Sequence, residues 1–221
     1  MQKATLLMNK ITGFIFFLAA VMLSSTVLPI QAATWSEVGE AGATPSTLQV
    51  PSGTGSLTTI TGTLSAAADI DMYRINITDR TIFQAAIASQ VFGNDPDIWL
   101  FDTNGFGISL NSCVAAGQTL VTGTFVPSNG DYFLAISSGG ADAVSAGGNI
   151  WISSQVLVSE RAPDGAGASQ AFLSWGGSPA LTKSSYTIQL QGAGFSPVPE
   201  PSTWAMMVTG CASLLLFRRC R

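Results

Sequence analysis

The sequence predicts an all-β domain, a β-sandwich or jelly roll of about eight strands, lying between two terminal signal segments. Short segments alternate apolar and polar residues with a period of two, which is typical of half-buried strands. Turns rich in glycine and asparagine separate these segments. Between residues 34 and 195 no apolar stripe has the 3.6-residue period of an amphipathic helix. A succession of strands and turns favours a sandwich or jelly roll.

Eight segments carry the strand pattern. In residues 70–78, the clearest case, the odd positions face one side and the even positions face the other. Asn129-Gly130 is a strong turn signal between two of the predicted strands. The glycine-rich segments 138–148 and 162–167 are predicted to be surface loops. The predicted strands are 58–64, 70–78, 81–89, 97–102, 119–126, 131–137, 151–158 and 185–191.

Residues 1–33 have the features of a secretory signal peptide. Two lysines precede an apolar run at residues 11–28, which Pro29 ends. Small residues then offer a site for signal peptidase, after Ala32 or Ala33. The run is long enough to span a bilayer, so an uncleaved anchor is the alternative. The proline and the small residues favour cleavage and export.

The C-terminal segment, residues 198–221, combines a proline-rich stretch, an apolar run and a cluster of arginines. The apolar run, residues 204–217, has 14 residues, whereas about 20 are needed to cross a bilayer core. Arginines stay on the cytoplasmic side, so the preceding domain would face outward. The arrangement resembles the PEP-CTERM sorting signal. The residues that carry this resemblance are Val198, Pro199, Glu200, Pro201, Ser202, Arg218 and Arg219.

The resemblance to PEP-CTERM proteins implies a route for the chain. It implies recognition by an exosortase, a membrane cysteine protease that acts near the Pro-Glu-Pro segment. It also implies a Gram-negative host that makes extracellular polysaccharide. The chain would be anchored transiently in the inner membrane through its C-terminal transmembrane helix, and then delivered to the outer surface or the extracellular matrix.

The middle domain, residues 34–197, resembles a second family, the bacterial pre-peptidase C-terminal (PPC-like) domain. The resemblance implies a non-catalytic β-sandwich of about eight strands, either appended to secreted enzymes or standing alone. Residues 139–184 depart from the pattern, because this stretch is longer than the family places between its last two strands. The matching segments are 67–77 (AADIDMYRINI), 95–108 (DPDIWLFDTNGFGI), 128–137 (SNGDYFLAIS) and 185–193 (SYTIQLQGA).

Composition and charge argue against several classes of function. The chain contains no histidine, which excludes Ser-His-Asp and Cys-His catalysis and histidine-ligated zinc. Between residues 34 and 197 there are four basic and twelve acidic residues, a formal net charge of −8. A domain so poor in lysine and arginine is not expected to bind nucleic acid. Its acidic groups suit cations instead.

The acidic residues leave two interpretations open. Asp69 and Asp71 share a face if their segment is extended, as do Asp95 and Asp97, and Asp102 ends the same strand. Calcium takes six to eight oxygen ligands, and some members of the PPC-like family bind it in loops. Aspartate is equally a standard turn residue. Turn formation is our first interpretation of these residues and calcium binding the second. No cofactor is required under the first.

The sequence thus predicts an exported, non-enzymatic surface or matrix protein that associates with extracellular polysaccharide. Trp175 lies in a glycine-rich segment that we expect to be a loop. It is a candidate for stacking on a sugar ring, with packing under the loop as the alternative. Two other functions remain as alternatives: a secreted calcium-dependent carbohydrate-binding module, and a hydrolase that uses carboxylates alone.

Overall fold

Every regular element in the described part of the chain is a β-strand, which confirms the all-β class. The computed structural model describes residues 32–88, 96–112, 119–153, 159–179 and 183–197. These residues form no helix, and therefore none that is long and apolar enough to cross a membrane. The strands are Ala32–Ser36 (β1), Ser56–Leu64 (β2), Ile70–Ile77 (β3), Gln84–Ile87 (β4), Pro96–Asp102 (β5), Gly107–Ser112 (β6), Leu120–Thr122 (β7), Gly130–Ser138 (β8), Ala141–Ser145 (β9), Gly148–Asn149 (β10), Phe172–Gly177 (β11), Ser184–Gln191 (β12) and Ala193–Phe195 (β13).

Most of the strands belong to one curved sheet. Nine of them follow the order β6-β5-β8-β3-β13-β2-β12-β4-β7, and β1 pairs in parallel with β2. The two outer strands approach each other, because Asn111 on β6 donates a hydrogen bond from Nδ2 to the carbonyl oxygen of Leu120 on β7, at 2.6 Å. The sheet is thus a nearly closed barrel. Apolar and polar residues alternate along its strands as predicted, because a barrel, like a sandwich, has one inward face.

The main hydrophobic core fills the barrel. Tyr73, Ile75 and Ile77 of β3 point into it, together with alternate residues of the neighbouring strands β8 and β5. Asp71 shares this inward parity and is fully buried. The prediction that the odd-numbered residues of 70–78 share one side of the strand is therefore confirmed.

A second, smaller sheet lies on the outer face of β3, β8 and β5. It has the order β10-β9-β11, and a second core separates it from the barrel. Aromatic rings dominate this core, with centroids 5.0 to 6.1 Å apart and mostly edge-to-face. Because β5 is covered on both faces, it reads as a continuous apolar run. The rings belong to Trp99, Phe101, Trp151, Phe172 and Trp175.

The sequence-based boundaries differ from the structure mainly around this second sheet. The predicted loop 138–148 contains β9, whose Ala141 and Ala143 are buried. The predicted strand 151–158 is not formed in its described residues, 151–153, where Trp151 sits in a bend and packs inward. Small residues carry little hydrophobic signal, so alternation alone does not reveal these strands.

Candidate functional site

The buried carboxyl group of Asp71 lies at the start of β3, where the barrel core meets the barrel end. Its Oδ2 accepts a hydrogen bond of 2.6 Å from the hydroxyl of Tyr186 on β12. The Tyr186 hydroxyl in turn contacts the hydroxyl of Tyr73, which must be the donor because the single Tyr186 proton points to Asp71. Two buried tyrosines thus orient one buried carboxyl group.

Two glutamates from the segment after β1 complete an acidic site, which we define as Glu37, Glu40 and Asp71. Their carboxylate oxygens lie within 4.8 Å of one another. Glu37 is fixed by two backbone donors, the amide of Ala41 at 3.0 Å and that of Thr63 on β2 at 2.8 Å. Glu40 is exposed at the mouth of the site. The site therefore runs from solvent to the barrel interior.

The electrostatics of the acidic site favour a proton or a cation at its centre. Burial raises the pKa of Asp71 to about 8, and the negative charges of Glu37 and Asp69 add to the effect, while the Tyr186 hydrogen bond opposes it. Burial and the neighbouring Asp69 also raise the pKa of Glu40. Without a cation, Asp71 is therefore largely protonated at neutral pH.

The donor set of the acidic site fits a hard divalent cation. Asp71 Oδ1 is buried and no described amide or hydroxyl donates to it, while the Asp71 carboxyl group shares a hydrogen bond with that of Glu40. Glu37 keeps free lone pairs, because each of its oxygens accepts only one backbone hydrogen bond. Carboxylate oxygens without nitrogen or sulfur suit calcium rather than zinc or copper. Glu37, Glu40 and Asp71 are the described residues whose carboxylates could hold such an ion.

The structure brings together only part of the predicted calcium set. Asp69 precedes β3 beside Asp71, and its carboxylate accepts the amide hydrogen of Ser65. Asp97 has the same parity on β5 as Trp99, so it faces the second core, on the side of the sheet opposite to Asp71. Asp95 lies outside the described residues. The five predicted ligands therefore do not share one site.

Asp102 forms a turn at the far end of β5. Its Oδ1 accepts hydrogen bonds from the amides of Asn104, at 2.8 Å, and Phe106, at 2.9 Å. The amide of Gly105, which has a φ of +85°, donates to the Asp102 carbonyl oxygen. The turn interpretation of the sequence accounts for every one of these contacts.

Three residues of this region were missed by the sequence analysis: Glu37, Glu40 and Tyr186. One signal was available, the glycine in the middle of the first predicted strand, residues 58–64. A Cβ atom on Gly62 would lie 2.2 Å from the Tyr186 hydroxyl and 2.7 Å from Glu37 Oε2. A glycine inside a strand often marks a place where other groups approach the backbone closely.

Trp175 lies on β11 rather than in a loop. Its ring centroid is 5.3 Å from that of Trp99 and 5.0 Å from that of Phe172, and its indole N–H donates to the carbonyl oxygen of Ala43 at 2.6 Å. Packing, the alternative interpretation, accounts for both the ring and its polar atom. Sugar stacking by Trp175 stays a prediction.

The predicted sorting residues lie outside the described part of the chain. The structure therefore leaves the predictions for both terminal segments as they stand, except that Ala32 and Ala33 open strand β1. The sorting residues concerned are Val198, Pro199, Glu200, Pro201, Ser202, Arg218 and Arg219.

Fold and site together define an all-β protein in which a barrel-like sheet carries a carboxylate-rich site at one end. No family model matches the sequence, and a search of the curated proteins finds no match. The resemblances to PEP-CTERM proteins and to PPC-like domains therefore rest on the motifs quoted above.

Proposed function

We propose that this chain is an exported, non-enzymatic protein of the cell surface or extracellular matrix, sorted by an exosortase and associated with extracellular polysaccharide. The observation that carries the proposal is the C-terminal order of Val198-Pro199-Glu200-Pro201, a 14-residue apolar run and an arginine cluster. An apolar run this short favours a temporary anchor over a permanent one. The middle domain would be a PPC-like module that faces outward.

The described domain favours binding over catalysis. Paired catalytic carboxyl groups of glycosidases lie about 5–5.5 Å apart in retaining enzymes and about 6.5–9.5 Å apart in inverting ones. Both carboxyl groups of such a pair must reach the sugar, but Asp71 is fully buried in the barrel. A hydrolase that uses carboxylates alone is therefore the less favoured alternative.

Replacing Pro199-Glu200-Pro201 with three alanines tests the sorting proposal. We expect the variant to accumulate as a membrane-held precursor, because the exosortase would lack its recognition segment. The measurement is immunoblotting of membrane and extracellular fractions from the native host. Pro197→Ala, at an exposed position just before the motif, is the control and should be processed normally. Normal release of the triple variant would contradict the proposal.

A calcium-dependent carbohydrate-binding module is the second candidate function. The acidic site favours it, because three carboxyl groups converge there and no described amide or hydroxyl donates to the buried Asp71 Oδ1. A bound cation would replace the proton on Asp71 and cancel the repulsion with Glu37. It would also fix the segment after β1 to β2, since Glu37 already bridges them.

A calcium titration tests this candidate. Calcium at about 100 times its dissociation constant would stabilise the folded protein by about 2.7 kcal/mol. We expect Tm to rise with calcium in the wild type and to be unaffected by calcium in Glu40→Gln, which replaces the exposed carboxylate beside the buried Asp71 with an amide of the same size. Asp79→Asn is the control, since Asp79 caps the turn at Thr81 instead. A wild-type Tm unaffected by millimolar calcium would exclude the site.

A further inference from the structure

The bonds that the sequence offers to signal peptidase lie inside strand β1. Cleavage is predicted after Ala32 or after Ala33, and β1 runs from Ala32 to Ser36. Residues 29–31 alone separate the apolar run of the signal peptide from this strand. The sequence therefore leaves no linker between the signal and the domain in which these bonds could lie outside the sheet.

Backbone pairing holds the two alanines against β2. Ala32 pairs with Ser56 and Ala33 pairs with Leu57, in the parallel direction. The Ala33 carbonyl oxygen also accepts a hydrogen bond of 3.2 Å from the Thr58 hydroxyl. These contacts fix the main chain at the predicted cleavage positions.

The rest of β1 is anchored to the barrel. The Trp35 side chain packs against the main core. The amide of Glu37, just after the strand, donates to the Thr61 carbonyl oxygen at 2.8 Å, and the Thr61 hydroxyl donates to that of Ser36 at 3.1 Å. The first residues of a domain are poorly ordered unless they are tied down, for example as a strand in a sheet, and β1 is such a strand. The contacts of these later residues therefore oppose fraying at the cleavage positions.

We infer that removal of the signal peptide must precede the docking of β1 onto β2. Signal peptidase adds water across the peptide bond, which leaves a carboxyl group on Ala32 or Ala33 and an amino group on the next residue. A protease cleaves a folded chain where it opens locally, so pairing with β2 protects these bonds. A chain that is cleaved first folds into the mature domain, whereas a chain that folds first keeps its apolar run and stays a membrane-held precursor. The inference rests on the export step of the proposed function and adds the order of the two events.

Cleavage of the folded and of the unfolded precursor by signal peptidase tests the inference. The full-length chain, synthesised without membranes and purified in urea, is diluted into detergent, and signal peptidase of the native host is added. The enzyme is added either at once or after tryptophan fluorescence shows that folding is complete. We expect the folded precursor to be cleaved at least about tenfold more slowly than the unfolded one, because β1 must first open. Mass spectrometry of the products identifies the cleaved bond.

Matched variants test whether β1 is the source of the protection. An insertion of about six glycine and serine residues between Ala33 and Thr34 moves both bonds into a flexible linker, so the folded and unfolded forms should be cleaved at similar rates. Thr58→Val removes the hydrogen bond to Ala33 and should reduce the protection about fivefold. Val38→Ala, at a position that is 69% exposed, is the control and should be protected as the wild type is. The ratio of unfolded to folded cleavage rates within each variant cancels any change in the sequence preference of the enzyme.

The outcomes separate this inference from the proposed function. Equal cleavage of folded and unfolded wild type would overturn the inference and leave the export route standing. Cleavage of neither form would contradict export through this signal peptide, and the inference would fall with it. A protected wild type whose protection survives the linker insertion would show that β1 is not the source of the protection, which also overturns the inference.

Discussion

At the scale of single residues, Asp71 shows how the barrel tolerates a carboxyl group in its core. Carboxylates are almost never fully buried unless they are paired. Here Tyr186 donates a hydrogen bond to one oxygen, and the raised pKa keeps a proton on the group in the absence of a cation. Burial also raises the pKa values of Tyr73 and Tyr186, so both hydroxyls remain donors. The Asp71 carboxyl group is neutral when it is protonated, and it can be anionic when a cation compensates its negative charge.

The stability of the metal-free protein should therefore depend on pH through Asp71. Its pKa is about 8 in the folded protein, against an ordinary value of 3.8 for an aspartate in the unfolded chain. A group whose pKa is raised in the folded protein contributes its full stabilisation at pH values below its pKa in the unfolded chain. This stabilisation is lost as the pH rises through its pKa in the folded protein. We expect the free energy of unfolding to fall between pH 4 and 8, by at most about 1.4 kcal/mol per pH unit from this group. Urea denaturation at several pH values, in the presence of a chelator, measures the free energy of unfolding.

The variant Asp71→Asn isolates this contribution, because asparagine keeps the shape and does not titrate. Its free energy of unfolding should vary less with pH than that of the wild type over the same window. Equal pH dependence in the two proteins would show that Asp71 does not carry the effect. Calcium at pH 8 should restore stability to the wild type only.

At the scale of elements, β2 connects the N-terminal segment to the acidic site. Its register slips by one residue where it pairs with β1, between Ala33 and Thr34, and further along the strand Gly62 lies opposite Tyr186 of β12. The absence of a side chain at Gly62 leaves room for the Tyr186 hydroxyl and the Glu37 carboxylate. The acidic site therefore depends on one glycine in the middle of a strand.

Gly62→Ala tests that dependence. A methyl group there would displace Tyr186 or Glu37, and overpacking of this kind costs about 1–3 kcal/mol. We expect a loss of stability in that range together with loss of the calcium-induced rise in Tm. Thr61→Ala, an outward-facing change at the adjoining position, removes the hydrogen bond from the Thr61 hydroxyl to Ser36, so it should cost about 1 kcal/mol and keep the calcium response. An unaltered calcium response in Gly62→Ala would contradict the close approach.

The same elements explain what the sequence could predict. β3, β8 and β12 place large apolar residues on one face, so alternation revealed them and the inward parity of Asp71. β9 carries only alanine and valine as apolar residues, between glycine-rich neighbours, and it was predicted to be a loop. The sequence analysis did not identify Glu37 and Glu40, because their contact with Asp71 is tertiary and spacing along the chain does not encode it. Asp97 was predicted as a ligand, but the strand pairing places it on the opposite face of the sheet.

At the scale of the whole molecule, charge limits which polymers the middle domain can bind. Residues 34–197 carry a formal net charge of −8, and two of their four cationic side chains, Arg74 and Arg161, are paired with Asp131 and Asp164. Anionic polymers would be repelled by such a domain. Under the proposed function, retention by polysaccharide would therefore depend on hydrogen bonds and apolar contacts rather than on attraction between charges.

Retention in the extracellular matrix should accordingly resist salt. At about 1 M ionic strength the Debye length falls to about 3 Å, which weakens attraction between exposed charges. If the proposed association is correct, we expect matrix prepared from the native host to keep this protein through washes from about 0.1 M to about 1 M sodium chloride. Added polylysine, held by charge alone, is the control and should elute with salt. Elution of the protein alongside polylysine would mean that charge holds it in the matrix, and would contradict the proposed mode of association.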